Sequence, residues 1–365
     1  MTFAEILEKS SFSKEELITL IGAQGDNQKL LFEKSREIML KTVGNKVYFR
    51  GLIEYSNYCI KDCLYCGIRK SNHNVSRYSI DIKDVIEAAK YAHEKGYGSI
   101  VLQAGERTDP QFIATITELI TQIKDLSNNQ LGITLSLGEQ SKETYQAWFN
   151  AGAHRYLLRI ESSNKELYEK IHPTNSSHNH QTRLNCLQEL KNIGYQVGTG
   201  IMIGLPFQTF DHLAEDLQFM KEFDIDMVGM GPYIEHEETP LYIEKESLMT
   251  QQRRFDITLN MIAILRLMMN DINIAAATAL QAIDKMGREK ALRIGANIIM
   301  PNITPTENRK NYSLYQNKPC IDEGADDCAN CITVRIEMAG GEVGINQWGD
   351  SKHFSKKQPR IDKKG

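Results

Sequence analysis

The chain has 365 residues, 41% of them hydrophobic and 25% charged, an ordinary globular balance with material for a sizeable core. Lys and Arg total 43 against 47 Asp and Glu, a net charge of -4, so no broad basic field exists to recruit nucleic acid or an anionic membrane surface. The acidic start MTFAEILEKSSFSKEEL lacks a signal peptide's basic opening, and no stretch approaches the ~18 apolar residues of a membrane span, so a cytoplasmic protein is expected.

In chain order, residues 1–45 place apolar side chains at the three-to-four-residue interval of amphipathic helices, in FAEILEK, EELITLIGA and KLLFEKSREIMLK. They predict a helical cap on a larger domain. From 46 to 312 short β-rich runs alternate with stretches of helical length. The strand candidates are LIEYSN (52–57), SIVLQAGE (99–106), ITLSLGE (133–139), RYLLRIES (155–162), GTGIMIGLP (198–206), MVGMGPYI (227–234), INIAAATAL (272–280) and ANIIMPNITP (296–305). Eight alternations predict an α/β protein of (β/α)8 TIM-type barrel architecture, with its site at the carboxyl ends of the strands; a doubly wound open sheet is the rival. From 313 to 365 the rhythm is lost, giving a C-terminal extension whose end, SKKQPRIDKKG, predicts a frayed tail.

The seven cysteines fall as Cys59, Cys63 and Cys66, then Cys186, then Cys320, Cys328 and Cys331. Two triplets in a large chain suggest thiolates holding metal clusters, because disulfide frameworks belong to small secreted domains. Cys186, inside the helical segment QTRLNCLQEL, reads as a small buried hydrophobe. The first triplet, C-x3-C-x2-C, follows the first strand and can hold three corners of a 4Fe-4S cubane, leaving the fourth iron open. A structural zinc would need a fourth ligand, for which His73 is the nearby candidate.

Period two puts Arg155, Leu157, Arg159 and Glu161 on one face of the fourth strand and Thr134, Ser136 and Gly138 on one face of the third. Charged and hydroxyl groups directed into a barrel are costly unless paired or liganded. A polar lumen suited to an anionic substrate is expected; a buried structural Arg–Glu pair is the alternative reading. The glycine of Gln103-Ala104-Gly105-Glu106, closing the second strand, would let backbone approach a ligand.

The first triplet, with Tyr65 before its last cysteine, resembles the signature of radical S-adenosylmethionine enzymes. That resemblance implies S-adenosylmethionine chelated on the open iron, a 5'-deoxyadenosyl radical, and an electron donor. It further implies cofactor contacts from Tyr65, Gly105, Ser136, Glu161 on the ribose and Arg183 on the carboxylate, with adenine against GTGIMIGLP.

The ordered run EYSNYCIKDCLYCGIRK, LSLGE, RYLLR-x-E, RLNCL, GLPFQT, DMVGMGP, GANIIMPN and C-x7-C-x2-C, from about residue 45 to 352, is similar to the HydE family of FeFe-hydrogenase maturases. Methylornithine synthase and biotin synthase resemble it in the barrel and first triplet. The family likeness implies a small organometallic substrate, an iron-carbonyl-cyanide-cysteine complex, and other hydrogenase maturases as partners. It places Thr134, Arg155, Arg159, Thr278 and Tyr312 around the substrate cavity and makes Cys320, Cys328 and Cys331 the site of a second cluster, 2Fe-2S or 4Fe-4S. An amino acid or small thiol as substrate stays open. Ile160 departs from the family pattern but is expected to face outward, and the acids Asp322, Glu323, Asp326 and Asp327 read as solvated loop charges.

Overall fold

The computed structural model describes residues 1–322 and 324–357, the side chains of 326–330 apart. Eight parallel strands follow one another around a ring: β1 (Lys46–Ser56), β2 (Ser99–Ala104), β3 (Gly132–Ser136), β4 (Arg155–Leu157), β5 (Gln196–Thr199), β6 (Met227–Val228), β7 (Asn273–Ile274) and β8 (Ile298–Ile299). From β1 to β7 each pairs with the next, and β8 pairs with β1 in the register Tyr48↔Ile298. Between β7 and β8 the backbone bonds Asn297 N to Ile274 O and Ala276 N to Ile298 O, both 2.9 Å, complete the circuit. The (β/α)8 barrel expected from the alternation is present, with helices outside it.

Several strand segments are shorter than their apolar runs. RYLLRIES is a strand only over Arg155–Leu157, because Glu161 turns the backbone into the left-handed region at φ 62°. INIAAATAL divides into β7 and the helix Thr278–Ile283, as its run of helix-favouring alanines allows. GTGIMIGLP and MVGMGPYI each break and then resume as a second parallel pair, Met202–Ile203 against Gly231–Pro232. A Cβ on Gly200 would lie 1.9 Å from the Gly229 carbonyl oxygen, so glycine is what lets the two segments cross at the break.

The N-terminal helices, Phe3–Leu7, Lys14–Ile21 and Gly25–Thr42, begin with capping boxes at Thr2/Glu5 and Ser13/Glu16 in the first two. They pack on the flank of the barrel against the helices Phe210–Glu222 and Gln251–Met268. Asn260 ties them down, donating to the carbonyls of Ile21 and Ala23 at 2.9 Å each.

The C-terminal segment is built into the barrel. After the helix Ala325–Met338, β9 (Glu342–Val343) pairs parallel with the start of β1. Residues 346–351 then cross the amino-terminal end of the ring as a floor: Arg155 donates to the Trp348 carbonyl at 2.9 Å and to Asp350 Oδ1 at 2.7 Å, and Asn273 donates to the Gly349 carbonyl at 2.8 Å. The expectation of a frayed end is corrected for Ser355–Lys357, which lie in the helix Lys352–Lys357. His353 sits between Asp224 (2.6 Å) and Asp271 (2.9 Å), and Lys356 and Lys357 pair with Asp271 and Asp226. Residues 358–365 of the predicted tail lie outside the described residues.

Candidate active site

The first cysteine triplet sits on the loop that leaves the carboxyl end of β1. One guanidinium shapes that loop, Arg77 donating to the carbonyls of Asn57 (2.6 Å), Ile68 (2.8 Å), Arg69 (2.6 Å) and Asn72 (3.0 Å). Asp62 accepts from Ser71 N and Oγ at 3.0 and 2.7 Å and pairs with Arg69 at 3.0 Å. Gly67 is required where it stands, since a Cβ there would come 2.1 Å from the Ser313 carbonyl.

Gly105 also marks a close approach, but its neighbour is protein. A Cβ on it would meet the Tyr58 carbonyl oxygen at 2.3 Å and Cys59 Cβ at 2.9 Å. The side on which a Cβ would stand is thus taken by the cysteine loop, which Ile60 N to Glu106 O (2.9 Å) and Gly105 N to Ser56 O (2.8 Å) hold against β2.

Cys59, Cys63 and Cys66 are half-buried and lie close enough for their charges to be felt mutually. Burial raises all three thiols, Cys63 to about 12, and for Cys63 and Cys66 the neighbouring thiols add to the rise. Three desolvated sulfurs that repel one another as anions need cationic charge among them to become thiolates, which iron supplies. Among the described residues no three His, Cys, Asp or Glu side chains gather tightly enough for a single ion. His73 is exposed. The donor set thus fits a cluster, whose irons are spread over several corners, better than one zinc.

Beside the thiols lies a buried quartet of charges. Lys61 pairs with Glu139 at 2.7 Å and Glu106 at 3.2 Å; Arg183 pairs with Glu139 at 2.5 Å and approaches Glu106 at 3.8 Å. Arg183 also donates to the Arg159 carbonyl at 2.7 Å. Arg159 grips Glu161 with two bonds, 2.7 and 2.9 Å, and donates to the Ile201 carbonyl at 2.8 Å. Tyr65 meets His172 Nε2 at 3.3 Å, and His172 stacks on Tyr168. Lys61, Glu106 and Glu139 were not singled out from the sequence as paired charges. Glu139 ends LSLGE and Lys61 lies inside the triplet, but reading strands for alternating faces leaves loop charges uncounted.

The predicted cavity residues divide between the two ends of the barrel. Ser136 is half-buried at the end of β3 and in register with Gln103. Thr134 lines an interior cavity of about 30 Å³ together with Arg50, Leu157, Gly229, Asn273 and Met300. Arg155 is corrected: it is fully buried at the amino end, bonded to Thr134 Oγ1 (3.0 Å) and Asp350, so its charge is committed to the floor. Tyr312 is buried near the end of β1, its carbonyl accepting from Lys318 (2.9 Å), which also pairs with Glu54. Thr278 is half-buried and begins the helix after β7. Cys186 is buried among apolar residues, as expected. Ile160 is fully buried in the core outside the barrel wall.

In the second triplet, Cys320 is half-buried at a left-handed φ of 63° and Cys331 is exposed; the side chain of Cys328 lies outside those described, as do the acids Glu323, Asp326 and Asp327. Asp322 is exposed and 3.9 Å from Lys310.

A parallel barrel with a thiol triplet at its carboxyl end defines a radical S-adenosylmethionine enzyme, and residues 53–220 match the sequence profile of the Radical SAM superfamily. The chain is 44% identical to the FeFe hydrogenase maturase subunit HydE of Thermotoga maritima over 96% of its length and 98% of that protein's. It is 29% identical to a 3-methylornithine synthase of Methanosarcina acetivorans, covering 84% and 85% of the two chains. In fold it is similar to methylornithine synthase PylB (TM-score 0.79, 24% identity, 94% and 98% covered) and to the maturase HydG of Carboxydothermus hydrogenoformans (0.78, 19%, 94% and 78%). The chain belongs to the HydE family of FeFe hydrogenase maturases. Its enzyme class implies a 4Fe-4S cluster and S-adenosylmethionine, and its family implies work in hydrogenase maturation. Among the described residues no helix is long and apolar enough to cross a membrane.

Proposed function

We propose that Cys59, Cys63 and Cys66 each bind one iron of a 4Fe-4S cluster and that S-adenosylmethionine binds the remaining iron, with Tyr65, Ser136, Glu161 and Arg183 lining its site. The observation that carries this reading is the triplet of half-buried thiols at the barrel's carboxyl end, flanked by Lys61, Glu106, Glu139 and Arg183. Once bound and reduced by an electron donor, S-adenosylmethionine supplies a 5'-deoxyadenosyl radical. The chain's own part is position and exclusion of water. Arg183 presents a guanidinium suited to a carboxylate, Glu161 presents acceptors suited to ribose hydroxyls, and the paired charges keep both from moving. Gly105 contributes indirectly, by letting the cysteine loop lie against β2.

The substrate we infer is an iron-carbonyl-cyanide-cysteine complex delivered by a partner maturase. Support comes from the 44% identity to a FeFe hydrogenase maturase subunit HydE over nearly the whole of both chains. Arg159, Thr134, Thr278 and Tyr312 are assigned to the walls around that complex. Cys320, Cys328 and Cys331 are assigned to a second iron-sulfur cluster.

The test is a hydrogenase maturation mixture lacking only its HydE component, supplemented with the anaerobically reconstituted chain and assayed for hydrogen evolution. Restored activity that disappears with Cys63→Ala, while Cys328→Ala still releases 5'-deoxyadenosine, is the expected result. Release of 5'-deoxyadenosine without any maturation would transfer the assignment to an amino-acid substrate, as the 3-methylornithine synthase relative suggests.

A further inference from the structure

Beside Cys320 and Cys331 of the second triplet lie buried polar atoms with no hydrogen-bond partner among the described residues. They centre on the helix Gly287–Ile294, whose Arg288 and Glu289 are 3% and 1% exposed. Arg288 Nη2 lies 3.9 Å from Cys320 Sγ, and Gln281 Nε2 lies 4.0 Å from the same sulfur. From the helix Ala325–Met338, Arg335 directs Nε to Cys331 Sγ at 3.1 Å. Its other arm is fixed by Glu289 Oε1 at 2.6 Å and the Lys285 carbonyl at 2.8 Å. Three buried atoms of this shell have no hydrogen-bond partner among the described residues: Gln281 Oε1, Arg288 Nε and Glu289 Oε2.

A neutral thiol accepts hydrogen bonds weakly, so two guanidiniums aimed at two sulfurs of one triplet are poorly used unless those sulfurs are thiolates. Buried polar groups are otherwise almost always satisfied. Of the three that are not, Arg288 Nε is a donor beside a cysteine spaced as a metal ligand and points to an acceptor that would complete its bonding, whereas Gln281 Oε1 and Glu289 Oε2 are acceptors and carry no part of the argument. The acidic loop does not reverse this balance at its described member, for Asp322 is exposed and faces Lys310.

We propose that Arg288 and Arg335 are positioning residues for an iron-sulfur cluster on Cys320, Cys328 and Cys331, donating N–H to the ligating sulfurs, and that Glu289 holds Arg335 in place. The inference rests on the reading that this triplet binds a second cluster. Its chemical consequence is electronic. An iron-sulfur cluster gains negative charge on reduction, so cationic donors to its sulfurs favour the reduced state and raise its midpoint potential.

The test uses the full-length chain, reconstituted anaerobically in a Cys63→Ala background so that iron bound elsewhere than the first site is read alone. Iron and sulfide are quantified, and the midpoint is measured by potentiometric titration followed by electron paramagnetic resonance. With Arg335→Gln and with Arg288→Gln, cluster content should be retained and the midpoint should move to lower potential; Glu289→Gln should shift it in the same direction by less. Arg335→Lys, which restores the charge, should recover much of the loss. Arg335 is the safer variant because it is half-buried where Arg288 is 3% exposed, and it decides the matter if Arg288→Gln fails to fold. A Cys63→Ala chain that binds no iron would remove the second cluster and this proposal with it. Bound iron whose midpoint is the same in Arg335→Gln and the parent would leave the cluster standing and overturn the role of the arginines.

Discussion

Lys61 shows how single residues around the triplet are held. Its side chain is 7% exposed and its ammonium is shared by Glu106 and Glu139, whose other cation among the described residues is Arg183. Burial pushes the Glu106 carboxyl up, and the two cations hold it back. Replacing Lys61 by Met leaves two buried carboxylates with one counter-charge, and breaking a buried network in this way costs ~3–5 kcal/mol. Anaerobic urea denaturation should show that loss; a change under 1 kcal/mol, taken as roughly the worth of a surface pair, would mean the quartet is solvated. From the sequence Arg183 could be given a cofactor contact only through the resemblance, and Glu139 only as the last letter of LSLGE. Their pairing joins residues 44 positions apart, a distance no local pattern reports.

At the scale of elements, the amino-terminal end of the barrel carries a titration signature. His154 precedes β4, packed on Trp348 with ring centroids 4.5 Å apart and 3.3 Å from Asp350. Burial and the neighbouring Arg155 hold it down to about 4, against ~6.5 in an unfolded chain. Between those two values the unfolded chain takes a proton that the folded chain refuses. Stability is therefore complete above about pH 6.5 and falls as the pH drops toward 4, by at most ~1.4 kcal/mol per pH unit from this one group. His172 and His178, held down to about 3 and about 4, act in the same direction near the cysteine loop. The urea midpoint plotted against pH should flatten in His154→Gln over that window. An unchanged slope would show that the folded protein protonates His154 freely. The strand segments themselves were legible because alternation of strand and helix is a local property. Their early endings were not, because Glu161 leaves the β region to meet Arg159 and Gly200 yields to Gly229, both tertiary contacts.

For the molecule as a whole, the decisive feature is that one end of the barrel is closed by the chain's own C-terminal segment. A chain truncated before Glu342 would lose β9 and leave the buried Arg50 and Arg155 without Asp350 or the Trp348 and Gly349 carbonyls. Its thermal unfolding, followed by circular dichroism, should shift well below that of the intact chain and lose cooperativity. Equal melting of the two chains would show that the floor is dispensable to the fold.

The strand–helix alternation by itself determined the barrel, and the resemblance carried by the first cysteine triplet gave the enzyme class, because each is written in spacings of a few residues. Only the tertiary structure decided what the charges do. It committed Arg155 to Asp350, paired Arg159 with Glu161, gave Gly105's open side to the cysteine loop, and pinned Ser355–Lys357 to the barrel instead of leaving them frayed. Buried charges must find partners wherever the fold brings them together, and sequence distance places no limit on where that is.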